Sequence, residues 1–131
     1  MSGRMELMTP DELLDSQQQW ADMVLKSNEL FQTDYCGYWL RGVRHNAAGW
    51  LVWEDDEQHA YEQEPDGSAA ERAWLAGVKL PQGWYKLDAD FVCQAWLIGV
   101  RLAGERWFEE GDSITYDTVM QLALLGEVRY S

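Results

Sequence analysis

Residues 36–44 read Cys36-Gly37-Tyr38-Trp39-Leu40-Arg41-Gly42-Val43-Arg44, and residues 93–101 read Cys93-Gln94-Ala95-Trp96-Leu97-Ile98-Gly99-Val100-Arg101. Six of the nine positions are identical. Without a gap the match runs on to Trp50 against Trp107, Leu51 against Phe108 and Asp55 against Asp112. A shorter copy, Trp74-Leu75-Ala76-Gly77-Val78-Lys79, is followed by Trp84. The copies are unequally spaced, which excludes a regular solenoid. The reading that decides the fold is therefore a structural unit used two or three times.

The flanks give that unit a shape. Ser68-Ala69-Ala70-Glu71 has the spacing of a capping box just before the copy at 74–79. From Asp88 to Ala103, the residues Phe91, Ala95, Ile98, Gly99 and Leu102 fall on one helical face. Gly after Trp-Leu, followed by Val, resembles a helix stop with an apolar contact beyond it. In the copy at 93–101 the helix has an alternative end at Gly104, with Gly99 then a site of close packing. Trp50-Leu51-Val52-Trp53, Trp84-Tyr85-Lys86-Leu87 and Arg106-Trp107-Phe108 read as extended. The unit predicted is helix, turn, short strand. Residues 35–44 carry a competing reading, because with 48–53 they also spell a β-hairpin across His45-Asn46-Ala47-Ala48-Gly49. The repeat tips the choice toward helix there.

Around the unit, Thr9-Pro10-Asp11-Glu12 predicts a capped start for a helix over about 10–30. A last helix is predicted over 116–125, capped from Thr115 and stopped by Gly126. Pro65-Asp66-Gly67 and Leu80-Pro81-Gln82-Gly83 read as turns. The expected fold is α+β, a helix-dominated single domain over residues 1–131 with short strands, its first eight residues a flexible N-terminus.

Composition narrows the function classes. The chain has 131 residues, with 23 Asp plus Glu against 10 Lys plus Arg and a net charge of −13. Such a charge repels nucleic acid and anionic membrane, and favours basic proteins and cations. No apolar run approaches the length that spans a bilayer. Two cysteines are too few for a secreted disulfide scaffold of this size, so a cytoplasmic protein with reduced thiols is expected. Phosphate-binding Gly patterns are absent, as is any Cys-x-x-Cys pair. Cys36 and Cys93 read as small buried hydrophobes rather than nucleophiles for His45. Glu109 and Glu110 are adjacent, which on a strand turns them to opposite faces and argues against an acid–base pair. No catalytic group, metal or cofactor is expected.

What remains is charge and aromatic surface. Glu54, Asp55, Asp56 and Glu57 form one acidic loop; Glu109, Glu110 and Asp112 occupy the matching place in the second copy. The leading expectation is a non-enzymatic binding protein that presents these seven carboxylates to a basic protein surface, as an inhibitor or nucleic-acid mimic. The alternative is a small-molecule binder or enzyme whose pocket, lined by Trp50, Trp53, Trp84 and Trp107 and rimmed by carboxylates, holds a cationic ligand. Homo-oligomerisation through surplus aromatic surface is a third reading.

Overall fold

The structure is a computed structural model, which describes residues 7–55 and 66–130. Thr9 opens the first helix, α1 (Pro10–Leu25), with its hydroxyl accepting from the Glu12 amide at 3.2 Å while the Glu12 carboxylate accepts from the Thr9 amide at 3.3 Å. This is the reciprocal cap predicted. The helix buries Ser16, Trp20, Met23 and Val24, one stripe at helical spacing. It stops short of the predicted residue 30. Ser27 offers its hydroxyl to the Glu29 amide at 3.0 Å, and the chain tightens into a 3-10 turn over Glu29–Phe31. A serine hydroxyl competing for backbone donors ends the helical ladder there. Just before α1, Met8 is buried and its amide donates to the Glu105 carboxylate at 3.0 Å, so the chain is fastened by residue 8.

Residues 35–44 are not a helix. After a run of turns, β1 (Leu40–Asn46) pairs antiparallel with β2 (Gly49–Glu54), and β2 pairs antiparallel with β3 (Trp84–Leu87), giving the order β1-β2-β3. The hairpin alternative holds because its turn is strongly specified. The Asn46 side chain accepts from the Ala48 amide at 2.8 Å, and Gly49 sits at φ 136° with the Leu87 carbonyl 1.9 Å from where a Cβ would be. Only glycine satisfies both demands. Register breaks between Gly42 and Arg44, leaving Val43 as a bulge.

After the undescribed stretch 56–65, α2 (Ser68–Leu75) follows. Its start differs from the predicted capping box. Ser68 is the first helical residue, and the Asp66 carboxylate accepts from the Ser68 amide at 3.0 Å. Arg44 ties α2 to β1 by reaching Ser68 at 3.1 Å and Glu71 at 3.4 Å. Next come α3 (Ala89–Ala103), capped by Asp88, the single-turn α4 (Trp107–Glu110), and α5 (Ser113–Leu125). The α5 cap is Asp112, not Thr115: its carboxylate accepts from the Thr115 amide at 3.0 Å, which moves the start from the predicted residue 116 to Ser113, three residues earlier. Gly126 stops α5 at φ 76°, the left-handed terminus predicted.

The molecule is α+β, with five α-helices and a three-stranded antiparallel sheet among the described residues. Its core joins Trp20 and Val24 of α1, Leu40 and Val52 of the sheet, Phe91, Ala95 and Trp96 of α3, and Val119 and Met120 of α5. Trp107 inserts among them at 1% exposure. The ring contacts Trp20 at a centroid distance of 5.0 Å and Trp96 at 5.4 Å. Gly99 lies beneath it; a Cβ there would fall 2.2 Å from a Trp107 ring carbon. The helix therefore runs through Gly99 to Gly104, the alternative end noted from sequence.

The repeated letters do not repeat as structure. The first copy is turn and strand, the second is continuous helix, and the third is α2, a turn at Gly77 (φ 71°) and β3. Trp107 and Phe108 lie in a helix rather than the strand predicted. Trp39 and Trp96 are both buried, whereas Cys36 is buried and Cys93 exposed. Among the described residues no helix is long and apolar enough to cross a membrane.

Candidate functional site

The carboxylates selected from sequence have mostly internal partners. Asp55 pairs with Arg41 at 2.6 Å. Glu54, its side chain 14% exposed, accepts from the Tyr85 hydroxyl at 3.0 Å, the Tyr130 hydroxyl at 2.5 Å and Arg129 at 3.2 Å. This ties β2 and β3 to the segment after α5 and leaves Glu54 little reach outward. Glu109 pairs with Arg106 at 2.8 Å, and the same Arg106 reaches Glu12 at 3.2 Å. Asp112 is spent on the α5 cap, and the amide and hydroxyl of Thr115 hold its carboxyl below the usual range. Glu110 is exposed. Asp56 and Glu57 lie outside the described residues.

Nor do the four tryptophans meet in one pocket. Trp107 is core. Trp50 packs edge-on to Phe31 at 4.9 Å and stacks on His45 at 4.5 Å. Trp53 and Trp84 face each other across β2 and β3 at 5.0 Å, and Trp84 also lines a cleft with Lys79 and Lys86 on one side and Asp88 and Asp90 on the other, so its charges balance.

A different place has the chemistry that the sequence sought. A cleft of about 630 Å³ opens between residues 33–38, the first half of α5 and the segment after it. That volume is in the range of ligand sites. Tyr35, Tyr38 and Tyr130 line it, with Asp34 and Asp117, and none of its lining residues is Lys, Arg or His. The 3-10 turn and the turns after it project Tyr35 and Tyr38 toward α5. Tyr35 stacks on Tyr116 at 5.9 Å, and Tyr116 is itself anchored by donating to the Phe108 carbonyl at 2.5 Å.

Asp117 organises the floor. One of its oxygens accepts from the Trp39 indole at 2.7 Å and from the Gln121 amide at 3.2 Å; the other accepts from the Tyr38 hydroxyl. All three donors are neutral, and no Lys or Arg pairs with Asp117 or Asp34 among the described residues. The carboxylate is thus held in place without being neutralised. Burial, then the bond to Asp117, pushes the Tyr38 hydroxyl far above its ordinary value, so it is a fixed donor and not a base. Burial pushes the neighbouring Cys36 thiol up in the same direction, which removes it as a nucleophile.

Sequence reasoning passed over Asp117 and Gln121. A signal was present: they are i and i+4 in a helix otherwise rich in Val119, Met120, Leu122, Leu124 and Leu125, so two polar groups share one face of an apolar element. Among the described residues no three His, Cys, Asp or Glu side chains converge as metal ligands would. The chain matches no known protein family, and neither a curated protein nor a solved structure matches it.

Proposed function

We propose that the protein is a non-enzymatic binding protein that engages a basic protein surface, with the tyrosine-lined cleft as the socket for an arginine or lysine side chain. The observation that carries this reading is the state of Asp117. Its negative charge is fixed by neutral donors and faces a cleft with a second carboxylate, three tyrosines and no cation. An ammonium or guanidinium entering there gains two charges and aromatic faces, an attraction of about 0.5–2 kcal/mol per ring contact. The overall charge of −13 adds long-range steering of a basic partner. The acidic loops first singled out contribute to that field, while the specific contact moves to Asp34 and Asp117. A reducing, cytoplasmic setting suits the reading, since both cysteines are free thiols.

The test is binding of a fluorescent tetra-arginine peptide to the full chain at two salt concentrations. Asp34→Asn and Tyr35→Ala are expected to weaken it several-fold, and Glu110→Gln to leave it unchanged. Equal losses in all three would mean diffuse attraction without a socket, and would overturn the proposal.

A further inference from the structure

The cleft at Asp117 is rich in negative charge but poor in open acceptor positions. A carboxylate offers about four lone-pair positions. Asp117 has three of them taken: Oδ1 accepts from the Trp39 indole at 2.7 Å and the Gln121 amide at 3.2 Å, and Oδ2 accepts from the Tyr38 hydroxyl. What is left open lies on Oδ2 alone. The second carboxylate, Asp34, comes from another segment and is exposed, where water competes for its partners. The walls, by contrast, are aromatic and apolar. Tyr35 stacks on Tyr116 and Tyr130 on Trp39, with interplanar angles of 11° and 8°, so both rings are braced from behind. Ile114 and Val128 line the same cleft at 74% and 54% exposure, apolar surface beside two carboxylates.

These features discriminate between cations. A guanidinium grips a carboxylate through two parallel N–H bonds, which needs an open position on each oxygen; Oδ1 of Asp117 has none. A primary ammonium brings three N–H donors and a tightly held water shell. Every donor that enters the cleft without finding an acceptor is a cost. An ammonium whose hydrogens are all replaced by methyls has no donor to satisfy. It keeps the charge that Asp117 attracts, and its methyl groups pack on tyrosine rings and on Ile114 and Val128. We propose that the cleft selects a quaternary ammonium head group, carried by a methylated lysine of the partner, over unmethylated lysine and arginine. The proposal rests on the cation-socket reading and deepens it by naming which cation fits. A cleft of about 630 Å³ has room for the methylene stem as well as the head. A net charge of −13 steers basic chains toward it, which favours a protein as the carrier.

The experiment titrates the isotope-labelled full chain with acetylated peptides Gly-Ser-X-Ser-Gly, where X is lysine, arginine, trimethyllysine or its uncharged tert-butyl isostere. The readout is the amide resonances of Tyr35, Ile114 and Asp117. The trimethyllysine peptide is expected to bind at least about fivefold tighter than the lysine and arginine peptides, as one N–H left without an acceptor requires. The isostere should shift nothing, because the attraction needs charge. Ile114→Ser, at an exposed site, should cut the preference for trimethyllysine at least about twofold by removing apolar contact. Tyr35→Phe should keep the preference, since the ring face is retained. Lysine or arginine binding as tightly as trimethyllysine overturns the proposal, and so does an isostere that binds as well as the cation. Free choline that shifts the same amides as strongly as the peptide would uphold the head group and overturn its assignment to a partner's lysine. Tetra-arginine binding that depends on Asp34 and Tyr35, with no preference for trimethyllysine, removes the selectivity and leaves the socket standing. Loss of the socket itself looks different: none of the four peptides would move these amides.

Discussion

Replacing Gly99 with alanine sets two effects of known sign against each other. In a helix interior alanine is favoured over glycine by about 0.8–1.0 kcal/mol. Position 99 lies inside α3, eleven residues into a helix from Ala89 to Ala103, so that gain applies in full. Against it stands Trp107. The added methyl would lie 2.2, 2.3 and 2.5 Å from three atoms of the indole, far inside van der Waals contact. The indole cannot step aside: it is 1% exposed and bounded by Trp20, Trp96, Phe108 and Tyr116, each with its ring centroid within 6.1 Å. Overpacking of this kind costs about 1–3 kcal/mol, and a clash with a ring boxed in on four sides belongs at the upper end. Taking about 3 less about 1 leaves a net loss of about 2 kcal/mol. Urea denaturation followed by tryptophan fluorescence reads this as a lower midpoint at unchanged slope. Gly77→Ala is the control, since a Cβ there meets nothing and only its left-handed backbone is penalised, by about 1–2 kcal/mol. A Gly99→Ala protein as stable as wild type, or more so, would refute the packing account of α3 and α4.

Ellman's reagent should titrate one thiol in the native protein, the exposed Cys93, and two in denaturant; a native count of two would contradict the burial of Cys36. Asp112 has a folded value below its unfolded one, so its contribution to stability is present above the unfolded carboxylate range and lost as pH falls through the folded value. Asp112→Asn should keep the cap, because asparagine caps as well as aspartate, while flattening stability against pH below about 4; an unchanged acid limb would disprove the assignment. Tyr38, Tyr85 and Tyr116 are raised chiefly by burial, so stability is intact below the unfolded tyrosine value and declines as pH climbs toward the folded ones. Spectrophotometric titration should show these three ionising late in the native state and together on unfolding.

Where the chain carried its own punctuation, the fold was legible in advance. Thr9 with Glu12 and Gly126 after α5 act through bonds to neighbours a few residues away, and each lies where its pattern puts it. The repeat misled because identical letters do not carry their backbone with them. Cys93 to Arg101 follows an aspartate cap and a Phe91-Ala95 stripe, so helix is already under way. Cys36 to Arg44 follows a 3-10 turn and precedes the Asn46–Gly49 turn, whose glycine is pinned by the Leu87 carbonyl from a strand thirty-odd residues on. That pairing is tertiary, and no local pattern contains it. The site was missed for a related reason. The acidic runs were conspicuous because they were contiguous, yet contiguity says nothing about partners: Arg41 and Arg129 claim Asp55 and Glu54 from other segments, and Arg106 claims Glu109 from one turn away. Asp117 stood alone in an apolar helix and drew no notice, although isolation in such surroundings is what forces a carboxylate to be precisely bonded.

The indoles of Trp20 and Trp96, packed against Trp107 at 5.0 and 5.4 Å in an edge-on and a tilted pair, make with it an optical antenna. Excitation absorbed by any of them is shared before it is emitted, and their coupled transitions should imprint a bisignate dichroism band that isolated tryptophans lack. Since α1, α3 and α4 each supply one chromophore, that band reports the assembly of three segments: it weakens when α1 or α3 lets go and vanishes when α4 does. The molecule therefore carries a built-in gauge of its own tertiary order, readable without a label.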